Sequence, residues 1–199
     1  MNAVGIIGSY RKGHITDQAV SAVLEGAEAA GARTDKIYLA DRRIEFCDNC
    51  RACTQQDRQL RRAECVHDDD MPAILDRIDA ADAVVLASPV NFGSVTAITK
   101  AFVERLLVYV WWPWERSIPK LRIRKPYKKA VIITSCAAPG WMGRLFMRGP
   151  LKLLKTAAKC VGARPVKSLY LGLVARRRDQ YLSDRSLARL RRAGRRLVC

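Results

Sequence analysis

Val4-Gly5-Ile6-Ile7-Gly8-Ser9-Tyr10-Arg11-Lys12-Gly13-His14-Ile15-Thr16 runs from a short apolar strand through a break at Gly8 into small, polar and basic residues. The next stretch, from Asp17 to Leu24, places Ala19, Val20, Val23, Leu24 and then Ala27 at the spacing of one buried helix face. Strand, loop rich in glycine and hydroxyls, then helix N-terminus is an anion site in outline. The first turn of a helix offers unpaired N–H groups and the positive end of its dipole. Ser9 and Thr16 would add hydroxyl donors, and Arg11 and Lys12 charge at the rim. The loop is neither GxGxxG nor GxxxxGK[ST], which speaks against a dinucleotide fingerprint and a P-loop. A plain strand-to-helix turn is the competing reading of the same residues.

Working outward, the same alternation repeats. Asp35 to Ala40 reads as strand two, with Gly31 suited to a left-handed turn after the first helix. Asp68-Asp69-Asp70 before Met71-Pro72 are helix-opening signals. Ala83-Val84-Val85-Leu86-Ala87 has the unbroken apolar character of a central parallel strand. A helix is predicted from Val95 to about Val110, closed by Trp111-Trp112-Pro113-Trp114. Ala130 to Thr134 is strand four, Leu151 to Val161 a basic helix, Val166 to Leu171 strand five, and a basic helix from about Leu182 to Leu197 ends the chain. Five strands alternating with helices predict an α/β fold, a doubly wound parallel sheet in a single domain over 1–199, with a Cys-rich insertion at about 47–65. Ligands of such sheets sit beyond the carboxyl ends of the strands. The loops 8–16, 88–94 and 135–143 lie at those ends.

The chain has 199 residues and a formal net charge of +17. Residues 1–99 carry 11 Lys/Arg against 15 Asp/Glu, whereas residues 100–199 carry 25 against 4. The second half would attract anions, or simply be well solvated. No run reaches the roughly 18–20 apolar residues of a membrane span, and no basic-plus-apolar leader opens the chain, so the expectation is a cytoplasmic protein. Helix-turn-helix, zinc-finger and RNP signatures are lacking, so nucleic acid is not an expected partner, and peripheral contact with an anionic membrane is not favoured. Seven cysteines occur, and Cys47, Cys50, Cys53 and Cys65 fall within nineteen positions. Four thiolates so spaced suit a [4Fe–4S] cluster, zinc being the rival and free thiols the third reading.

Gly8-Ser9-x-Arg11-Lys12-Gly13-x-x-Thr16, Ser88-Pro89-Val90-x-Phe92-Gly93-Ser94 and Lys100-x-Phe102-x-x-Arg105 resemble the NAD(P)H-dependent FMN reductases of flavodoxin-like fold. The Cys47-x-x-Cys50-x-x-Cys53 run, with Asp69-Asp70-Met71 after Cys65, is closer still to their iron–sulfur flavoprotein branch. The resemblance implies strand order 2-1-3-4-5 and FMN as cofactor. It implies a phosphate on Ser9, Arg11 and Thr16 with His14 alongside, and a flavin ring against Pro89, Val90, Asn91, Phe92 and Gly93. The loop from Ser135 to Gly140 would line the ring's other edge. Two positions depart from the family's habit, Ile15 where asparagine is common and Asn91 where an aromatic is common. The implied function is an NAD(P)H oxidoreductase passing electrons to a flavin, quinone or other small acceptor or to a protein. An FMN electron carrier without NAD(P)H activity and a flavin-free anion-binding module are the alternatives. The Trp111–Trp114 segment is expected to shield the ring or to be buried in a homodimer or larger assembly.

Overall fold

The computed structural model describes residues 1–146 and 148–198, the side chains of 144–146 excepted; Cys199 lies outside. Its order is β1 (Asn2–Ile7), α1 (Ile15–Glu28), β2 (Arg33–Tyr38), α2 (Ala52–Gln55), α3 (Met71–Ala80), β3 (Ala83–Pro89) and α4 (Ala97–Arg105). There follow β4 (Val110–Trp111), β5 (Lys120–Leu121), β6 (Lys128–Ser135), α5 (Gly140–Phe146), α6 (Arg148–Cys160), β7 (Ala163–Leu171) and α7 (Asp184–Val198). The main sheet is wholly parallel in order β2-β1-β3-β6-β7, which is 2-1-3-4-5 counted among its own strands. This is the flavodoxin-like arrangement. Strand two starts and stops two residues earlier than its sequence pattern suggested. The helix expected to reach Val110 tightens into a 3-10 turn over Leu106–Tyr109.

Side chains of the sheet alternate between two cores, as strand geometry demands. On one face Ala3, Ile7, Val85, Val131, Ile133 and Leu169 pack under α1 and α7. On the other, Val4, Ile6, Val84, Leu86, Ala130 and Ile132 pack under α3, α4 and α6. Helices α1 and α7 pack closely against each other. A Cβ on Gly26 would lie 2.0 Å from the carbonyl oxygen of Arg191, so the two backbones meet with no room for a methyl group.

The Cys-rich insertion, which the sequence presents as a loose polar loop, is pinned at both ends. Asp69 accepts the N–H groups of Glu45 (2.8 Å) and Met71 (3.0 Å) and pairs with Arg105, whose Nη2 lies 3.2 Å from Oδ1. Arg105 Nη1 also donates to the carbonyl of Glu45 at 2.9 Å. The two charged side chains are 1% and 0% exposed. Burial alone would push the Asp69 carboxyl up, but the Arg105 guanidinium and the two backbone donors hold it below its ordinary value.

The far side of the insertion is stapled to residues 108–122. Ala63 N–H reaches Val108 O at 2.9 Å, Trp112 N–H reaches Thr54 O at 3.0 Å, and Arg122 Nη2 caps Cys53 O at 3.1 Å. Arg51, held at φ +62°, is sandwiched between the rings of Trp112 and Trp114 at 4.0 and 4.1 Å. Within the chain, the tryptophan segment therefore serves the insertion through guanidinium stacking.

Three substitutions check this packing by chemical denaturation. Gly26→Ala adds helix propensity worth up to about 1 kcal/mol but forces two backbones apart, and is expected to lose about 2 kcal/mol net. Gly149→Ala, at a helical glycine with open space around its Cβ position, should lose nothing. Asp69→Asn should cost about 3 kcal/mol at pH 7 by leaving Arg105 buried without its countercharge. A carboxylate whose pKa is depressed on folding contributes stability above its unfolded value, here 3.8, and loses it as pH falls through the folded value. The difference between Asp69→Asn and wild type should thus shrink below about pH 3.8; a difference constant down to pH 2 would contradict the ion pair's role.

Candidate functional site

The loops leaving β1, β3 and β6 are fastened to one another by buried hydroxyls. Gly8 N–H donates to Ala87 O at 2.8 Å. The Gly8 carbonyl accepts from both Thr96 Oγ1 and Thr99 Oγ1, and Thr99 Oγ1 also reaches Ser88 Oγ at 3.2 Å. Thr96 caps α4 by accepting from Thr99 N–H. A Cβ at Gly8 would fall 1.8 Å from Thr99 Oγ1, so this crossing admits only glycine. Val90 N–H meets Ser135 O at 2.7 Å, and Thr16 Oγ1 lies 3.2 Å from Ser135 Oγ.

The turn before α1 has its own anchor. Asp17, buried in the first helical turn, accepts from Gly13 N–H at 2.7 Å, from Tyr38 OH at 3.1 Å and from Lys36 Nζ at 3.2 Å. Burial works against its charge, yet Gly13, Lys36 and Tyr38 together keep its pKa below the ordinary value. The carboxylate is thereby spent on holding the turn, with Gly13 at φ +73°, rather than left to repel an anion above it.

Between these loops is a hollow of about 220 Å³. Ser9, Arg11, His14, Thr16, Pro89, Val90 and Ser135 line it, as the sequence expects of a flavin site, with Cys136 and Ala137 beside them. Asn91, Phe92, Gly93 and Gly140 do not. Asn91 and Ser94 pair across a tight turn, Phe92 at its tip has φ +47° and stands wholly in solvent, and Gly140 opens α5. No Asp or Glu lines the hollow, while Ser9 and Thr16 are buried hydroxyls next to the N-terminus of α1. The arrangement suits a phosphate at one end and an apolar wall, Pro89 and Val90, at the other. The lysine with the most displaced titration, Lys128, is driven down to about 8 by burial, but it starts β6 at the opposite end of the sheet.

The sequence reading missed a whole wall. Val174, Ala175, Arg177, Arg178 and Gln180, from the loop between β7 and α7, close the hollow. The signal was the Arg176-Arg177-Arg178 run after the last strand, visible only as part of a generally basic half.

Cys53 is buried, Cys47 and Cys65 are half-buried and Cys50 is exposed. Burial, reinforced by the neighbouring thiols of Cys65, Cys47 and Cys50, pushes Cys53 up to about 11. Among the described residues no three His, Cys, Asp or Glu side chains are grouped as one metal ion requires. A cubane places each thiolate on a different iron, so it spaces its four ligands more widely than a single zinc does. Around the insertion the buried Nε atoms of Arg51, Arg105 and Arg122 have no hydrogen-bond acceptor. Such a donor set fits an anionic thiolate-bound group better than neutral thiols. A cavity of about 300 Å³ adjoins it, lined by Cys65, Arg62, Arg105, Met71 and Leu75.

Residues 1–139 match the NADPH-dependent FMN reductase family. An iron–sulfur flavoprotein of Archaeoglobus fulgidus is 38% identical over 109 residues, 55% of this chain and 47% of its own. One of Methanosarcina thermophila is 37% identical over 105 residues, 53% of this chain and 52% of its own. The chain thus matches about half the length of these relatives. Among solved structures, the NAD(P)H:quinone oxidoreductase of Methanothermobacter marburgensis aligns over 99% of this chain and 98% of its own, with a TM-score of 0.70 and 20% identity. An FMN-dependent NADH-azoreductase of Bacillus anthracis aligns over the whole of both chains, with a TM-score of 0.70 and 12% identity. These two likenesses establish the fold. With the matched stretch spanning the loops after β1 and β3 and the Cys-rich insertion, the chain belongs to the NADPH-dependent FMN reductase family.

Proposed function

We propose that this protein is an FMN-dependent oxidoreductase that takes hydride from a reduced nicotinamide nucleotide and passes electrons to a small or protein acceptor. The observation that carries the reading is the carboxylate-free hollow, with the buried hydroxyls of Ser9 and Thr16 at a helix N-terminus, Arg11 and His14 at its rim, and Pro89 and Val90 as an apolar wall. FMN bound there would supply hydride acceptance at its N5 and release of electrons singly or in pairs.

The chain's own work is binding and orientation. Ser9, Thr16 and the first N–H groups of α1 would hold the phosphate, and Asp17 keeps the turn in place for them. The Gly8–Ser88–Thr96–Thr99 network fixes the loop bearing Pro89 and Val90 against the phosphate loop. Preorganised donors and a rigid wall are what the flavin needs from a protein, and His14 is the lone histidine at the hollow. FMN titrated into flavin-free protein should quench the flavin's fluorescence at micromolar concentration. Arg11→Ala should raise the FMN dissociation constant about tenfold with riboflavin little changed, because one charge-assisted hydrogen bond is lost. No quenching at tens of micromolar would sink the reading, and FMN binding without NAD(P)H oxidation would favour the electron-carrier alternative.

We propose further that Cys47, Cys50, Cys53 and Cys65 hold a [4Fe–4S] cluster. Support comes from the four thiols of the insertion, the acceptor-less Nε donors of Arg51, Arg105 and Arg122 around them and the iron–sulfur flavoprotein relatives. Such a cluster would supply one-electron transfer. Residues Arg51, Arg105 and Arg122 would offset its negative charge, and the Asp69–Arg105 pair would fix both ends of the loop. With Cys50 exposed, the site is open to oxygen, so aerobically prepared protein is expected to lack iron. Anaerobic preparation should give about four iron and four sulfide per chain, lost in Cys50→Ser; zinc, or no metal after anaerobic reconstitution, would refute the assignment.

A further inference from the structure

We infer that the loop joining β7 to α7 is a second phosphate-binding element, in which Arg177 and Arg178 close over the 5′-phosphate of FMN. The inference rests on the FMN reading above and deepens it. Both arginines line the hollow that Ser9 and Thr16 line, although about 160 positions separate them in the chain. Neither has an ion pair or a hydrogen-bond acceptor for its guanidinium among the described residues, while the hollow holds Arg11 as a third cation and no carboxylate. Three like charges around one small hollow repel each other unless an anion sits between them. A phosphate dianion is the group whose geometry a guanidinium fork matches in pairs.

The loop is tied to the phosphate turn rather than merely lying near it. Arg11 Nη2 donates to the Arg178 carbonyl at 3.0 Å. Leu182 N–H donates to Gln18 Oε1 at 2.9 Å, and Gln18 Nε2 in turn donates to Gly13 O at 2.8 Å. Within the loop, Gln180 bridges Leu173 O and Arg176 N–H at 2.8 and 2.9 Å. Leu173, at φ +59°, donates its N–H to Ala138 O at 3.0 Å and so ties the loop to the end of β6. This belt places the Arg pair beside the turn that Asp17 braces. The carbonyl of Arg178 fixes Arg11, so the strap also positions a residue of the phosphate loop. The surface arginines of α7 have no such ties to the hollow.

The test compares wild type, an Arg177→Ala/Arg178→Ala double variant and the corresponding Lys/Lys variant, each checked for an unchanged circular dichroism spectrum. FMN and riboflavin binding are followed by flavin fluorescence, and trypsin cleavage at Arg176–Arg178 by mass spectrometry. The Ala/Ala variant should bind FMN about tenfold more weakly and riboflavin within about twofold of wild type, with Lys/Lys between. In wild type, FMN but not riboflavin should protect the Arg run from trypsin. An FMN affinity changed less than about threefold, a parallel loss of riboflavin, or no protection of the Arg run from trypsin by FMN would overturn the strap. Wild type that binds no FMN would instead overturn the functional reading beneath it.

Discussion

Everything at the working end of the molecule depends on one backbone carbonyl. The Gly8 oxygen accepts from two threonine hydroxyls of the β3–α4 connection, and the Gly8 N–H is spent on Ala87. These bonds cross between strands that are neighbours in the sheet but some eighty residues apart in the chain. They are buried, so each would be expensive to leave unmade. Their effect is to make two loops move as one body, and loops are otherwise the parts of a fold most free to move. A ligand that touches both therefore meets a preformed surface. Glycine at position 8 is what allows the approach.

A second buried polar centre, the Asp69–Arg105 pair, plays the same part for the insertion. Buried ion pairs seldom add much net stability over an apolar contact. What this one supplies is position: it joins Glu45 before the cysteines, Met71 after them and Arg105 on α4 at one point. The guanidinium groups of Arg51 and Arg58, stacked on the tryptophans, fasten the opposite side. A segment of more than twenty residues with little regular structure is thereby held from both sides. Thiols that are to ligate a cluster would need such anchoring, since a cluster tolerates little wandering of its donors.

The basic character of the second half divides into separate jobs. Arg122 caps carbonyls of the insertion and Lys128 caps the end of α3 through the Ile78 carbonyl. Arg177 and Arg178 stand at the hollow. The outer arginines of α7 remain solvated while its Leu190, Ala193 and Leu197 pack on the sheet. A net charge alone cannot distinguish these roles, because it is a sum over places with different surroundings.

The number, order and type of the main elements were legible because burial leaves a mark: an unbroken apolar run along Ala83 to Ala87, and a period near 3.6 along Val20, Val23, Leu24 and Ala27. The loops that build the hollow were legible because glycine, proline and hydroxyl residues cluster at strand ends for local reasons. The sheet order and the expectation of a flavin came from resemblance to a family rather than from any period. The arginine run of the wall could not be told from the generally basic half around it, and nothing local marked the use of the tryptophans as stacking platforms or the solvent-exposed turn that carries Phe92 away from the hollow. Those depend on which segments meet after α7 packs on α1 and the insertion folds over α4. Local pattern records whether a side chain is covered; only the tertiary structure decides by what.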